Sequence, residues 1–150
     1  MSKANDPTLF QFFNEIGIIS QLSSKLFEEN LPDGLNNSQF GVLNWFMRVD
    51  TEATPGRLAK AFQVTPAAMT NTLGKLQEKG LIKVEPDAQS GRRKRVTLTR
   101  AGAQARDRAI KQTAPLFAEF AELFPANKLK RQLKELQKIR SYLDEYRYRE

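Results

Sequence analysis

The chain has no cysteine and no histidine. Without thiols it has no disulfides, no thiolate metal site and no cysteine-based peroxide sensing. Without imidazole it lacks the commonest general base and zinc ligand, which argues against a hydrolase or a zinc enzyme. Paired carboxylates do not fill that gap, since Glu28 and Glu29 are adjacent and point in different directions on a helix. Long apolar runs are missing too. The stretch from Phe10 to Ile19 is interrupted by Gln11, Asn14 and Glu15, and nothing approaches a membrane span. The opening residues, Met1 to Thr8, are polar, unlike a signal peptide. Acidic residues are the scarcer charge, 17 against 24 lysines and arginines, a formal net charge of +7. These shortages predict a cytoplasmic protein that is not an enzyme, carries no metal or cofactor and does not enter membranes. Its partner should be an anion, and local patches must say which. At 150 residues the chain is one domain's worth, long enough for a real core, with no internal repeat.

What is present centres on residues 54–80. Thr54 as N-cap and Pro55 at the first helical position open a short helix that buries Leu58, Ala59 and Phe62. Gln63 and Val64 make a turn, and Thr65-Pro66 repeats the same cap-then-proline signal. The second helix runs on to Gly80, suited to a left-handed C-cap. Two such caps about eleven residues apart, separated only by a turn, describe a helix-turn-helix. On the second helix Met69, Leu73 and Leu76 face the core, with Thr72 at the edge of that stripe. Ala67, Ala68, Thr70, Asn71 and Lys75 form the opposite face, with no acid until Glu78. Short side chains with a few donors suit the DNA major groove. An ordinary solvated face is the commoner explanation for any one such helix.

The following segment tips that balance. Ile82 and Val84 alternate with Lys83 and Glu85, and Val96 and Leu98 with Arg95 and Thr97, which predicts a β-hairpin over 81–99. Its tip, Pro86 to Lys94, is a polar loop, and four consecutive cations run from Arg92 to Arg95. A solvated charge run is the usual reading elsewhere. Beside a helix-turn-helix, phosphate or minor-groove contact explains it better, because like charges held together repel unless a polyanion is near.

The run Leu58-Ala59, Val64-Thr65, Leu76-Gln77-Glu78-Lys79-Gly80-Leu81-Ile82, Gly91-Arg92-Arg93 and Val96-Thr97-Leu98-Thr99-Arg100-Ala101-Gly102 resembles the MarR-type winged-helix transcriptional regulators. The likeness covers nearly the whole chain, flanking helices included, and the motif set is more specific than any piece of it. Two positions depart from the family pattern. Its wing motif D-x-R has Ser90 in place of the acid, so the Asp–Arg brace of relatives cannot form there; Asp87 is the substitute candidate. Asn71 stands where relatives often carry arginine. The resemblance implies a repressor released by a small effector, often aromatic and anionic, bound between dimerisation helices and winged helix. No residues are assigned to that effector.

The predicted fold is mainly helical with a small hairpin wing, a winged helix-turn-helix over 35–102 flanked by dimerisation helices at 1–34 and 103–150. Asp6-Pro7 starts a first helix reaching about Asn30, with more apolar surface than one stripe requires. Leu31-Pro32-Asp33-Gly34 is a turn. Leu35 to Val49 is the next helix, with Phe40, Leu43, Phe46 and Met47 facing the core; Trp45 is read as core, the alternative being the wall of a pocket. Residues 50–53 connect to the helix-turn-helix and are candidates for a short strand. Thr99 caps a helix that must kink at Pro115 or break at Thr113. Asn127 caps the last helix, where Leu129, Leu133, Leu136, Ile139, Leu143 and Tyr146 recur between cations. Phe10, Phe13, Ile16, Leu129, Leu133, Leu136 and Leu143 are the expected homodimer interface. Two copies on a two-fold axis would set the reading helices about 34–36 Å apart, on a pseudo-palindromic operator. Candidate contacts to double-stranded DNA are Arg57, Thr65, Ala67, Ala68, Thr70, Asn71, Lys75, Arg92, Arg93 and Lys94. The alternatives are a winged-helix module that binds protein or RNA. Four wing cations argue against the first, and the narrow major groove of A-form RNA argues against the second.

Overall fold

The structure, a computed structural model, describes residues 3–149, the side chains of Ala4 and Ser90 excepted. The described elements run α1 (Pro7–Glu29), α2 (Asn37–Arg48), β1 (Glu52–Ala53), α3 (Pro55–Phe62), α4 (Pro66–Glu78), β2 (Ile82–Asp87), β3 (Ser90–Leu98), α5 (Arg100–Thr113), α6 (Phe117–Leu123) and α7 (Ala126–Tyr146). The fold is mainly helical with a three-stranded antiparallel sheet in the order β1-β3-β2. The chain divides into two compact units after Thr113.

The first unit holds the core. Val42, Leu43, Leu58, Leu76, Ile82 and Val96 are fully buried, drawing on α2, α3, α4 and both long strands. The start of α2 is set by a capping box: Asn36 Oδ1 accepts from the Gln39 amide at 2.8 Å, and Gln39 Oε1 accepts from the Asn36 amide at 3.2 Å. The helix therefore begins at Asn37, not at Leu35. Trp45 is core as expected, edge-on to Phe46 at 5.3 Å. Met47 is not: it is 48% exposed, whereas Val42, outside the expected core set, is fully buried. Before α2, the Leu35 amide donates to the Pro32 carbonyl at 3.1 Å across Asp33 (φ 61°) and Gly34 (φ 66°). Two left-handed central residues make a primed turn, which an Asp-Gly pair favours.

The short strand expected near residue 53 exists: Ala53 pairs with Val96, and Glu52 with Thr97. At the far end of β3, Thr99 joins three elements. Its hydroxyl donates to the Gly80 carbonyl at 2.7 Å and accepts from the Gly102 amide at 3.0 Å. It thus caps α5 while holding the end of α4. Gly102 has no freedom to be anything larger, because an added Cβ would strike the Leu81 carbonyl oxygen. Further along, α5 buries Ala105 and Ala109. Asp33 joins the same frame: its carboxylate accepts from Arg108 Nε and Nη2 at 3.2 and 3.1 Å, and its carbonyl from Lys79 Nζ at 2.7 Å. Of the two outcomes expected at Pro115, the helix breaks. It ends at Thr113, whose buried hydroxyl donates to the Ala109 carbonyl at 2.8 Å.

At the other end of this unit, Asp6 Oδ1 accepts from the Thr8 amide at 2.9 Å, which starts α1 and holds the Asp6 carboxyl below its ordinary range. No residue of α1 is buried. Phe10 is 78% exposed, Phe13 is exposed and Ile16 is half-buried. In the second unit α7 starts at Ala126 behind Pro125, so Asn127 lies inside its first turn instead of capping it. Leu129, Leu133, Leu136 and Leu143 are exposed along α7. Among the described residues no helix is long and apolar enough to cross a membrane.

Candidate nucleic-acid interface

The two threonine caps form as their sequence requires. Thr54 Oγ1 accepts from the Arg57 amide and Thr65 Oγ1 from the Ala68 amide, each at 3.1 Å. Between them Gln63 takes the left-handed conformation (φ 54°), letting the Val64 amide reach the Ala59 carbonyl at 3.0 Å. A non-glycine residue there costs about 1 kcal/mol. Gly80, at φ 72°, closes α4 without that cost. Its amide donates to the Gln77 carbonyl at 2.9 Å, and that of Leu81 to Leu76 at 3.0 Å.

Burial divides α4 as its periodicity predicts. Met69, Leu73 and Leu76 are buried, and Thr72 is half-buried. Thr65, Ala67, Ala68, Thr70, Asn71 and Lys75 are all exposed. The Thr70 hydroxyl donates back to the Pro66 carbonyl at 2.9 Å, so its one proton is committed inside the helix. Gly74 shares the ridge of Ala67 and Asn71, and a Cβ added there would meet nothing within 4 Å. The protein's own packing gives no reason for a glycine in mid-helix, where it costs about 0.5–1 kcal/mol against alanine. An isolated glycine inside a strong helical pattern is the signal in the sequence that marks Gly74 as a further groove-facing position.

The wing differs from expectation at its tip. The ladder runs from Ile82↔Leu98 to Pro86↔Lys94, then slips to Asp87↔Ser90, so Gly91, Arg92 and Arg93 bulge from β3. Strand replaces most of the expected loop, and only Ala88 and Gln89 turn the chain. The four cations do not act alike. Arg92, Arg93 and Lys94 are exposed, and among the described residues none of them is in an ion pair. Arg95 lies back in the ladder opposite Glu85, with its guanidinium 3.6 Å from the Glu52 carboxylate. Asp87 does not replace the family's wing acid: its Oδ1 accepts from the Gln89 amide at 3.1 Å, shaping the turn. The Ser90 side chain lies outside those described.

Arg57 is exposed but occupied. Its Nη1 is 3.1 Å from Asp50 Oδ2, and its guanidinium lies 5.3 Å from the centre of the Trp45 ring. Behind the wing turn, Arg57, Arg95, Asp50, Glu52 and Asp87 line a cavity of about 470 Å³ whose charges largely pair with one another. The structure thus brings the α4 face and three wing cations into one compact unit, with Arg57 at its edge.

Residues 33–93 match the model of the MarR family. No curated protein matches the sequence significantly. Among solved structures, the transcriptional regulator BldR from Sulfolobus solfataricus is 26% identical, with a TM-score of 0.79 over 95% of this chain and 99% of that one. A mutant of E. coli MarR complexed with operator DNA is 24% identical, with a TM-score of 0.72 over 89% of this chain and 96% of that one. The organohalide-sensing regulator RdhR, bound to 2,4-dichlorophenol, shares the fold at 16% identity, with a TM-score of 0.73 over 96% of this chain and 86% of that one. The MarR-family match falls on the helix-turn-helix and most of the wing just described, and the likeness of fold to solved transcriptional regulators extends over the flanking helices.

Proposed function

We propose that this protein is a MarR-type transcriptional regulator that represses by binding double-stranded DNA as a homodimer on a pseudo-palindromic operator. The observation that carries the reading is the pairing, within one unit, of an exposed α4 face of short side chains with three wing cations that have no acidic partner among the described residues. In this reading α4 enters the major groove. Asn71 pairs with adenine through its amide, and Thr65, Ala67, Ala68 and Thr70 fit the groove floor and wall. Lys75 and the Ala67 amide, which no intrahelical carbonyl can reach, hold phosphates. Arg57 joins them only by leaving Asp50, so its share is the smallest. Arg92, Arg93 and Lys94 straddle the adjacent minor groove.

The exposed apolar residues of α1 and α7 support self-association, since a monomer gains nothing from leaving such faces in water. Phe10, Phe13, Ile16, Leu129, Leu133, Leu136 and Leu143 are the proposed interface. The E. coli relative bound to operator DNA and the relative bound to a chlorophenol support DNA as the partner and a small aromatic or anionic effector as the releasing signal. Absence of cysteine leaves ligand binding, not thiol oxidation, as the means of release.

Salt dependence tests the wing. A dimer neutralising about 6–10 phosphates has a slope of log affinity against log salt of roughly −5 to −9. Replacing Arg92 and Arg93 by alanine removes four cations per dimer and should flatten that slope by up to about 3–4, for every sequence alike. An unchanged slope would sink the wing assignment.

A further inference from the structure

We infer that α4 is built to read A·T base pairs and to pass over guanine. This rests on the proposal that α4 lies in the major groove, and concerns what it recognises there. Guanine offers only acceptors in that groove, N7 and O6, and its usual partner is a forked arginine donor. No arginine occurs anywhere in α4. Of the two lysines around its end, Lys79 donates to the Asp33 carbonyl at 2.7 Å and is held away. Thr70 has its only proton committed to the Pro66 carbonyl at 2.9 Å, so it cannot donate to guanine either. What remains towards the bases is the methyl groups of Thr65, Ala67, Ala68 and Thr70, the Thr65 hydroxyl and the amide of Asn71. Methyl groups match the C5-methyl of thymine, and a side-chain amide matches N6 and N7 of adenine. Gly74, open on the same ridge, leaves room for that close approach.

The wing agrees independently. Arg92 and Arg93 stand on a bulge of β3 with no acidic partner among the described residues. Arginines entering a minor groove favour the narrow, strongly negative groove of A-tracts. Both readers therefore select the same base pairs by different chemistry. Lys75 is the one cation within α4, and it marks where a single G·C pair would be tolerated.

The test uses the full-length protein and the best duplex recovered from a random pool. Replacing thymine by uracil in both half-sites removes only the methyl groups. Affinity should fall roughly three- to fivefold per contacted methyl, the worth of one buried methyl group. Replacing adenine by 7-deazaadenine removes N7 alone. It should weaken the wild type at one position per half-site and leave N71A unaffected. Uracil duplexes bound as tightly as thymine ones, or a consensus whose α4-protected pairs are G·C, would overturn the inference. If no duplex is enriched at all, the DNA-binding proposal fails instead, and the two failures are distinct.

Discussion

Two glycines in the winged-helix unit make opposite demands, and substituting each by alanine separates packing from function. Gly102 sits where α5 crosses the end of α4, and an added Cβ would strike the Leu81 carbonyl oxygen and crowd Leu98. Backbone cannot yield as a side chain can, so G102A should cost about 3 kcal/mol, the upper part of the range for overpacked sites. Gly74 sits mid-helix with nothing within 4 Å of an added Cβ. There G74A gains helix propensity and loses no contact, so stability should rise by about 0.5–1 kcal/mol. For a chain of this length that is a rise in Tm of roughly 1–4 °C. The same methyl stands on the ridge of Ala67 and Asn71, where the proposal puts the groove floor. Overpacking that contact by about 1–3 kcal/mol would weaken binding about 5- to 150-fold. Thermal unfolding monitored by circular dichroism gives the first quantity, and fluorescence anisotropy with a labelled duplex the second. A more stable G74A protein with undiminished affinity would refute the idea that DNA, rather than chance, keeps this position empty.

Other outcomes follow from the same geometry. N71A should relax preference at one operator position; equal weakening on every sequence, read by competition binding, would show that Asn71 does not read a base. L58A, at a fully buried site, should cost about 2–5 kcal/mol in urea unfolding, whereas M47A, at an exposed one, should stay within about 0.5 kcal/mol. The Asp6 carboxyl is held below its ordinary value by the Thr8 amide, so its contribution is present above the unfolded carboxyl pKa and is lost as pH falls through the lowered folded value. Order at the start of α1 should therefore decline in acid, and D6N, which keeps the cap, should remove that pH dependence in amide exchange. F10E with L133E should shift sedimentation towards the monomer if the apolar faces of α1 and α7 form the dimer.

The helix-turn-helix was legible because its determinants are local. Thr54-Pro55 and Thr65-Pro66 each carry cap and first-turn proline within two residues, and Gly80 sits where the α4 closing turn needs a positive φ. Pro115 made a kink or a break legible for the same reason, without deciding between them, and the strand at Glu52–Ala53 was legible only as a candidate, since its pairing with β3 is not local. What the sequence did not disclose depends on partners far along the chain. That Arg95 leans on Glu52 follows from β1 pairing with β3, across more than forty residues. The Asp33 frame joins residues 33, 79 and 108, which no spacing rule connects. The wing tip was misread because a bulge lets polar residues occupy strand, and composition alone made them a loop. Asn127 and Met47 were misassigned: α7 starts at Ala126 behind Pro125, and Met47 lies exposed while Val42 and Leu43 are fully buried.

The central claim is that α4 and the wing form one DNA-reading surface, duplicated in a dimer. Selection of bound fragments from random duplex DNA by the purified full-length protein tests it most directly. A two-fold symmetric consensus with half-site centres one helical turn apart, about 10–10.5 base pairs, is the expected result. Recovery of fragments with no sequence enriched over the starting pool would contradict it.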